Sequence, residues 1–255
     1  MNAFAEDALS CNGFLGGRVQ LWQPAKGYRA GVDPVLLAAA VPARAGEAVL
    51  ELGCGAGQAL LCLAARVPDL HLAGIELQRP YAELARRNAA ENGQAVEVFE
   101  ADLSALPQVL KQRQFQHVIA NPPYYKPGAH SSARDAGRQV ALGEGTPLAD
   151  WITTAARRLA PKGYLHMIQR ADRLPDMLAA CSGCLGSIEV LPLVPRADRA
   201  AELVILRARK GGRADFRLFA PLILHEGAKH ERDGDSYRRQ IQAVLRDGAA
   251  LPWPG

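Results

Sequence analysis

Residues 47–57 read EAVLELGCGAG, an apolar burst that runs straight into three glycines at alternate positions, Gly53, Gly55 and Gly57. A short apolar run closed by glycine reads as a strand buried on both faces, and GQALLCLAARV after it reads as a helix. A strand, a tight turn and a helix in that order commit the chain to a parallel sheet, because the crossover helices must cover both of its faces. The alternation continues downstream. LHLAGIEL (70–77), AVEVFEA (95–101), FQHVIA (115–120) and GYLHMIQR (163–170) read as strands. Helices are predicted over RPYAELARRNAAENG (79–93), LADWITTAARRLAPKG (148–163, broken by Pro161 and Gly163) and RLPDMLAACSG (173–183).

SIEVLPLVP (187–195) and AELVILRAR (201–209) have no helix between them, so they are expected to pair as a hairpin. The predicted fold class is α/β: a mostly parallel seven-stranded sheet with one reversed strand and helices on both faces. Residues 47–210 form the core of that reading. Residues 1–46 are expected to add to the pocket, and residues 211–255 to be an extension packed on the core, with a short strand in RLFAPLILHEG and a helix in DSYRRQIQAVLRDG.

Composition narrows the class further. With 255 residues, 49% of them hydrophobic, the chain fills one large α/β core. A formal net charge of +4 permits a nucleic-acid partner without requiring one. Five cysteines, odd in number, suit reduced thiols in a cytoplasm. Cys181 and Cys184 are spaced C-x-x-C, but no second pair of Cys or His ligands matches them, so no metal site is expected. The amino terminus lacks a basic stretch before an apolar one, and no apolar run nears the roughly 18 residues of a membrane helix.

The chemistry begins at the glycine turn, where main chain and helix N–H groups lie open to a ligand. Glu76, about twenty residues on at the end of the next strand, is placed to accept from ribose hydroxyls. Asp102 follows the third strand, as either an acceptor for an adenine amine or a loop cap. Upstream, KGYRAGVDPVLLAAA places Tyr28, Arg29, Gly31 and Asp33 before a helix, with Asp33 as N-cap and Pro34 at the first helical position. Arg29 or that helix start could meet a cofactor carboxylate. The fourth strand ends in ANPPYYKP (120–127), and no nucleophilic His or Cys accompanies it. His117, inside that strand, is expected to be a packed residue.

ELGCGAG, GIE, ADL and ANPPYY, in this order, resemble class I S-adenosylmethionine-dependent methyltransferases. Asn-Pro-Pro-Tyr resembles the catalytic motif of enzymes that methylate a planar nitrogen: adenine-N6 methyltransferases of DNA and RNA, some guanine methyltransferases of rRNA, and glutamine methyltransferases of release factors. YRAGVDPVLLAAAVP, ADWITTAARRLAPKG, RADRL, VLPLVPRADRAAELVILRARKG and LILHEG extend the resemblance to the TrmN/YfiC-like family, whose characterised members methylate N6 of the adenosine beside the anticodon of a valine tRNA.

The resemblance implies S-adenosylmethionine as cofactor, with contacts at Arg29, Gly31, Glu51, Gly53, Gly55, Gly57, Glu76, Leu77, Asp102, Leu103 and Asn121. It implies catalytic roles for Asn121, Pro122 and Tyr124, and substrate contacts at Tyr124, Tyr125, Arg134, Arg138 and Arg196. Arg199, Arg209, Lys210 and Arg213 add charge for an RNA backbone. An RNA, specifically tRNA, is the expected partner. Two other readings stand beside it: a glutamine methyltransferase, which would carry a helical amino-terminal domain, and a binding module without catalysis.

Overall fold

In the computed structural model, residues 4–26, 29, 31–124, 146–227, 236–251, 253 and 254 are described. The glycine turn follows strand β3 (Ala48–Leu52), an interior strand of the main sheet and third from one edge. On one side of β3 lie β4 (His71–Glu76) and β5 (Val96–Glu100), parallel to it. On the other side lie β6 (Phe115–Ala120) and β7 (Leu159–Arg170), also parallel. The chain thus grows outward from β3 in one direction and then returns to grow in the other. That reversal between β3 and β6 is the topological switch point, where the carboxyl ends of two neighbouring strands diverge and leave a crevice.

Strands β8 (Gly186–Val194) and β9 (Leu203–Arg209) pair antiparallel, and β9 also runs antiparallel to β7, so β9 is the one reversed strand. Two further pairings lengthen the sheet to nine strands: the two-residue strands β10 (Arg217–Leu218) and β11 (Leu222–Ile223) lie parallel on β8. The stretch expected to add one strand is therefore split, with Phe219 and Leu224 donating their N–H groups to Val190 and Val194 at the ends of the two pieces.

Apolar positions on both sheet faces build two cores. One gathers α1 (Asp33–Ala39), α2 (Gln58–Arg66), part of α3 (Arg79–Glu91) and the carboxyl-terminal helix. The other gathers α4 (Gln108–Lys111), α5 (Leu148–Arg158) and α6 (Leu174–Cys181). Leu50 and Val49, adjacent in β3, fall in opposite cores because successive strand side chains alternate faces. The α5 helix ends at Arg158 and β7 begins at once, earlier than the sequence pattern indicates. Pro161 and Gly163 form an irregularity in the β6–β7 register and are not a loop outside it.

The first 46 residues hold a hairpin that the sequence pattern did not reveal: β1 (Leu9–Phe14) antiparallel to β2 (Val19–Pro24). Two asparagines one turn apart, Asn88 on α3 and Asn92 at its C-cap, bind the backbone of β2. Asn88 Oδ1 accepts from the Trp22 N–H at 2.9 Å and its Nδ2 donates to Trp22 O at 3.0 Å. Asn92 does the same for Gln20 at 2.9 and 2.7 Å. The carboxyl-terminal helix α7 (Arg239–Asp247) packs on residues 15–17 and on α1, and the chain beyond it ties to α1 through Leu251 N–H to Ala39 O and Trp253 Nε1–H to Ala40 O, each at 2.8 Å.

Candidate active site

The crevice at the switch point is a cavity of about 590 Å³, within the usual size range for a small-molecule site. Its floor is the glycine turn. Gly53, Gly55 and Gly57 all have positive φ, at 64, 53 and 88°. Gly53 is required twice over, since a Cβ there would also lie 2.5 Å from the Trp151 ring. At Gly55 a Cβ would meet nothing within 4 Å, so the main chain faces open space where a ligand can approach it.

Glu76 closes the turn. It is 7% exposed, and its Oε2 accepts from the Gly55 N–H at 2.9 Å while Oε1 accepts from the Gln78 N–H at 2.8 Å. A carboxylate has about four lone-pair sites, so acceptor capacity remains on both oxygens. Burial raises the Glu76 carboxyl above its ordinary range, and the backbone donors oppose that shift. Burial raises Glu51 more strongly; Leu60 N–H opposes the shift and the neighbouring Glu76 charge adds to it.

Two buried acceptors in the cavity wall have no hydrogen-bond partner among the described residues: Glu51 Oε2 and Gln58 Oε1. Buried polar atoms are normally paired, so both are suited to donors on a ligand. Asp102 and Leu103 also line the cavity, as does Leu77, which is 51% exposed beside Glu76. Ser104, through its N–H and its hydroxyl, bonds Asp102 Oδ1 and holds that carboxyl below its usual range, so the cap and the cavity wall are one residue.

Asn121, Pro122 and Tyr124 continue the wall from the end of β6. The Tyr124 hydroxyl donates to Asp33 Oδ2 at 2.7 Å. Asp33 is the first residue of α1 and has no capping bond; Val32 is the N-cap, which shifts Asp33 and Pro34 one position into the helix relative to the sequence expectation. Its carboxylate is turned to the cavity and to Tyr124 instead. Burial raises the Asp33 carboxyl and the Tyr124 bond opposes this. Arg29 and Gly31 line the same cavity, and the Arg29 guanidinium donates to Ser10 Oγ at 2.8 Å and to Asn12 Oδ1 at 2.7 Å on the amino-terminal hairpin.

The structure therefore brings together every expected cofactor contact except Gly57, which opens α2 immediately behind the turn. Tyr28, Tyr125, Arg134 and Arg138 lie outside the described residues. Arg196 is a correction. It is 8% exposed and absent from the cavity wall, and its guanidinium bonds Glu226 O, Gly227 O (2.8 Å) and Ser236 Oγ (3.2 Å). Those acceptors make it a tie between the β8–β9 turn and the carboxyl-terminal extension, so it is not a surface cation for RNA. Lys210 is similarly engaged, donating to Leu159 O at 2.7 Å. His117 is packed as expected, between Glu47 and His166.

Several residues of the wall carried no readable signal. Trp151 sits in an amphipathic helix where an aromatic residue reads as core. Gln58 follows the turn as an ordinary helix residue, and Gln23 and Pro24 belong to the unforeseen hairpin.

Comparison with known proteins agrees with this geometry. A family model described as the methyltransferase small domain matches residues 31–185. The chain belongs to this family. Among curated relatives, a tRNA1(Val) (adenine(37)-N6)-methyltransferase of Dickeya chrysanthemi is 30% identical over 86% of this chain and 87% of its own length. A protein of the same description from Porphyromonas gingivalis is 35% identical over 58% of this chain, and the match spans 61% of that relative. A crystal structure of a predicted O-methyltransferase from Agrobacterium tumefaciens superposes with a TM-score of 0.70 at 29% identity, covering 87% of this chain and 99% of that one. This methyltransferase uses S-adenosylmethionine, and Glu51 Oε2 and Gln58 Oε1, without a partner among the described residues and beside an open glycine turn, fit a ligand that carries an ammonium and ribose hydroxyls. No helix among the described residues is long and apolar enough to cross a membrane.

Proposed function

We propose that this protein transfers a methyl group to the N6 amine of an adenine in RNA, specifically an anticodon-loop adenosine of tRNA. The observation that carries the reading is the meeting of two elements in one cavity: the Gly53–Gly57 turn with Glu76, and Asn121–Pro122 at the end of the neighbouring strand. The tRNA follows from the relatives' described activity, and a cytoplasmic location follows from that substrate.

When bound, S-adenosylmethionine would supply an electrophilic methyl on a sulfonium sulfur; the S–methyl bond breaks and the sulfur leaves as a neutral thioether. Glu76 would accept from its ribose hydroxyls and Asp102 from its adenine amine, Leu77 and Leu103 would lie beside its base, and Glu51, Gln58, Gly31 and Arg29 would serve its amino-acid end. The amine of adenine is a poor nucleophile because its lone pair is delocalised into the ring. Asn121 Oδ1 and the Pro122 carbonyl accept the two amine hydrogens and turn that lone pair toward the methyl. Their hold strengthens as positive charge grows on nitrogen, which makes it transition-state stabilisation. Tyr124 offers its ring for stacking, worth about 1–3 kcal/mol. Water takes the surplus proton after transfer, so the site needs no strong base. A base in a duplex would not reach the cavity, so a loop or flipped nucleotide is the substrate form.

In this reading, residues 47–210 are the catalytic core, residues 1–46 supply Arg29, Gly31 and the hairpin wall, and residues 211–255 brace the core. The test is incubation with bulk tRNA and labelled S-adenosylmethionine, then mass spectrometry of the digested RNA. N6-methyladenosine in tRNA is the expected product; label only in protein would replace this reading with glutamine methylation.

A further inference from the structure

We propose that Gln169 is a positioning residue for the Pro122 carbonyl and so for the acceptor amine; this rests on the reading of the site above. Pro122 and Pro123 have no N–H, so the segment after β6 cannot anchor itself by donating to a neighbouring strand. The pyrrolidine ring fixes φ but leaves ψ of Pro122 a range within the extended region, and ψ sets where the carbonyl points. Something else must choose within that range.

Gln169 sits on the adjacent strand, where Met167 pairs with Ala120, and is 0% exposed. Its Nε2 donates to Pro122 O at 3.3 Å and to Pro123 O at 3.4 Å. Its Oε1 accepts from the Arg170 N–H at 2.9 Å. This last bond fixes which end of the amide is nitrogen: a flipped side chain would set oxygen against two carbonyls and NH₂ against an N–H. The amide therefore acts as a clip between a backbone donor on β7 and two backbone acceptors on the motif. A carbonyl oxygen has two lone pairs, so the clip takes one on Pro122 and leaves the other for the amine hydrogen. Misplacement of a reacting group by about 1 Å costs on the order of 100-fold in rate, so a small rotation here reaches the chemistry.

Gln169→Met keeps the volume of the side chain and removes the donor; Gln169→Asn keeps an amide that falls short of Pro122. Both are expected to lower kcat for tRNA methylation by about 10- to 100-fold, with KM and Kd for S-adenosylmethionine within about threefold of wild type. Crystal structures of the two variants are expected to show the Pro122 carbonyl turned from its wild-type direction. The proposal is overturned by a kcat within twofold of wild type in either variant. It is also overturned by an unmoved carbonyl, or by cofactor affinity and melting temperature falling together with kcat. A wild type that binds S-adenosylmethionine but methylates no tRNA sinks the reading of the substrate, and the carbonyl direction still decides whether Gln169 sets it.

Discussion

The Tyr124 hydroxyl and the Asp33 carboxylate, 91 positions apart, are joined at 2.7 Å across the cavity. The bond ties the aromatic residue of the Asn-Pro-Pro-Tyr motif to the start of α1, so the ring is held from both ends: by the rigid turn behind it and by its own oxygen. The ring and the hydroxyl then make separable contributions. Tyr124→Phe keeps the stacking face and is expected to lower kcat/KM for tRNA by less than about 10-fold. Tyr124→Ala removes the face, and a loss of about 10- to 100-fold is expected. Equal losses in steady-state methyl transfer would show that stacking is not what the ring does.

In the proposed mechanism, Asn121→Ala removes one of the two acceptors on the amine. Deleting one preorganised group of this kind costs about 100- to 1000-fold in kcat, and that range is expected here. Calorimetry is expected to show S-adenosylmethionine still bound. Near-wild-type tRNA methylation by a variant that binds cofactor would remove Asn121 from the chemistry.

Glu76→Ala withdraws the acceptor from the Gly55 and Gln78 N–H groups and, in the proposed site, from the cofactor ribose. Hydrogen bonds to a charged partner contribute about 1.5–3 kcal/mol, so the Kd for S-adenosylmethionine is expected to rise about 10- to 100-fold. Titration calorimetry reads this directly, and an unchanged Kd would refute the ribose contact.

Arg196→Met tests the corrected role of that residue. As a buried tie, its loss leaves carbonyls at Glu226 and Gly227 without their donor, and the melting temperature is expected to fall by several degrees. The salt dependence of tRNA binding is expected to stay as in wild type. A shallower salt slope with unchanged melting would restore the phosphate-binding role.

The buried pair His117 and His166, Nδ1 to Nε2 at 3.1 Å, gives the stability a pH dependence. Burial lowers both pKa values. At His117 the Glu47 carboxylate opposes the shift and Arg66 adds to it; at His166 the charges of His117 and Arg207 add to it. A base with a lowered folded pKa binds fewer protons folded than unfolded. Its contribution is full above the ordinary histidine range, near pH ~6.5, and is lost as pH falls through the window beneath it. Asp33, Glu51 and Glu76, with raised values, act with the opposite sign, so the informative quantity is the difference from a variant. From pH 8 to 5 the wild-type melting temperature is expected to fall more steeply than that of His166→Met. Parallel curves would show that the pair does not control the acid limb.

The strand–turn–helix rhythm was legible in the amino-acid order, because a strand buried on both faces must be continuously apolar and a turn with positive φ favours glycine. β6 emerged from FQHVIA with its observed limits, Glu76 and Asp102 were found by their places at strand ends, and Asn121 was found by the resemblance of ANPPYY to a known motif. The hairpin at 9–24 was not legible. Its pattern is broken by Asn12 and Gly13, and the edge of β2 is bound by Asn88 on a helix far along the chain and by Asn92 at that helix's C-cap. Arg196 was misjudged because sequence shows its charge but not the carbonyls that surround it.

The Asn-Pro-Pro-Tyr tetrapeptide was picked out by its resemblance to a known motif; local order alone determined the α/β class and the glycine turn. Those features depend on periodicity and on backbone preferences that each residue carries with it. Tertiary structure alone decided that Asp33 holds Tyr124, that Trp151 backs Gly53, that Arg196 is a tie, and that Gln169 faces the carbonyls of Pro122 and Pro123. These are contacts between side chains and groups distant in sequence, and only the register of the sheet and the packing of helices on it bring them within bonding distance.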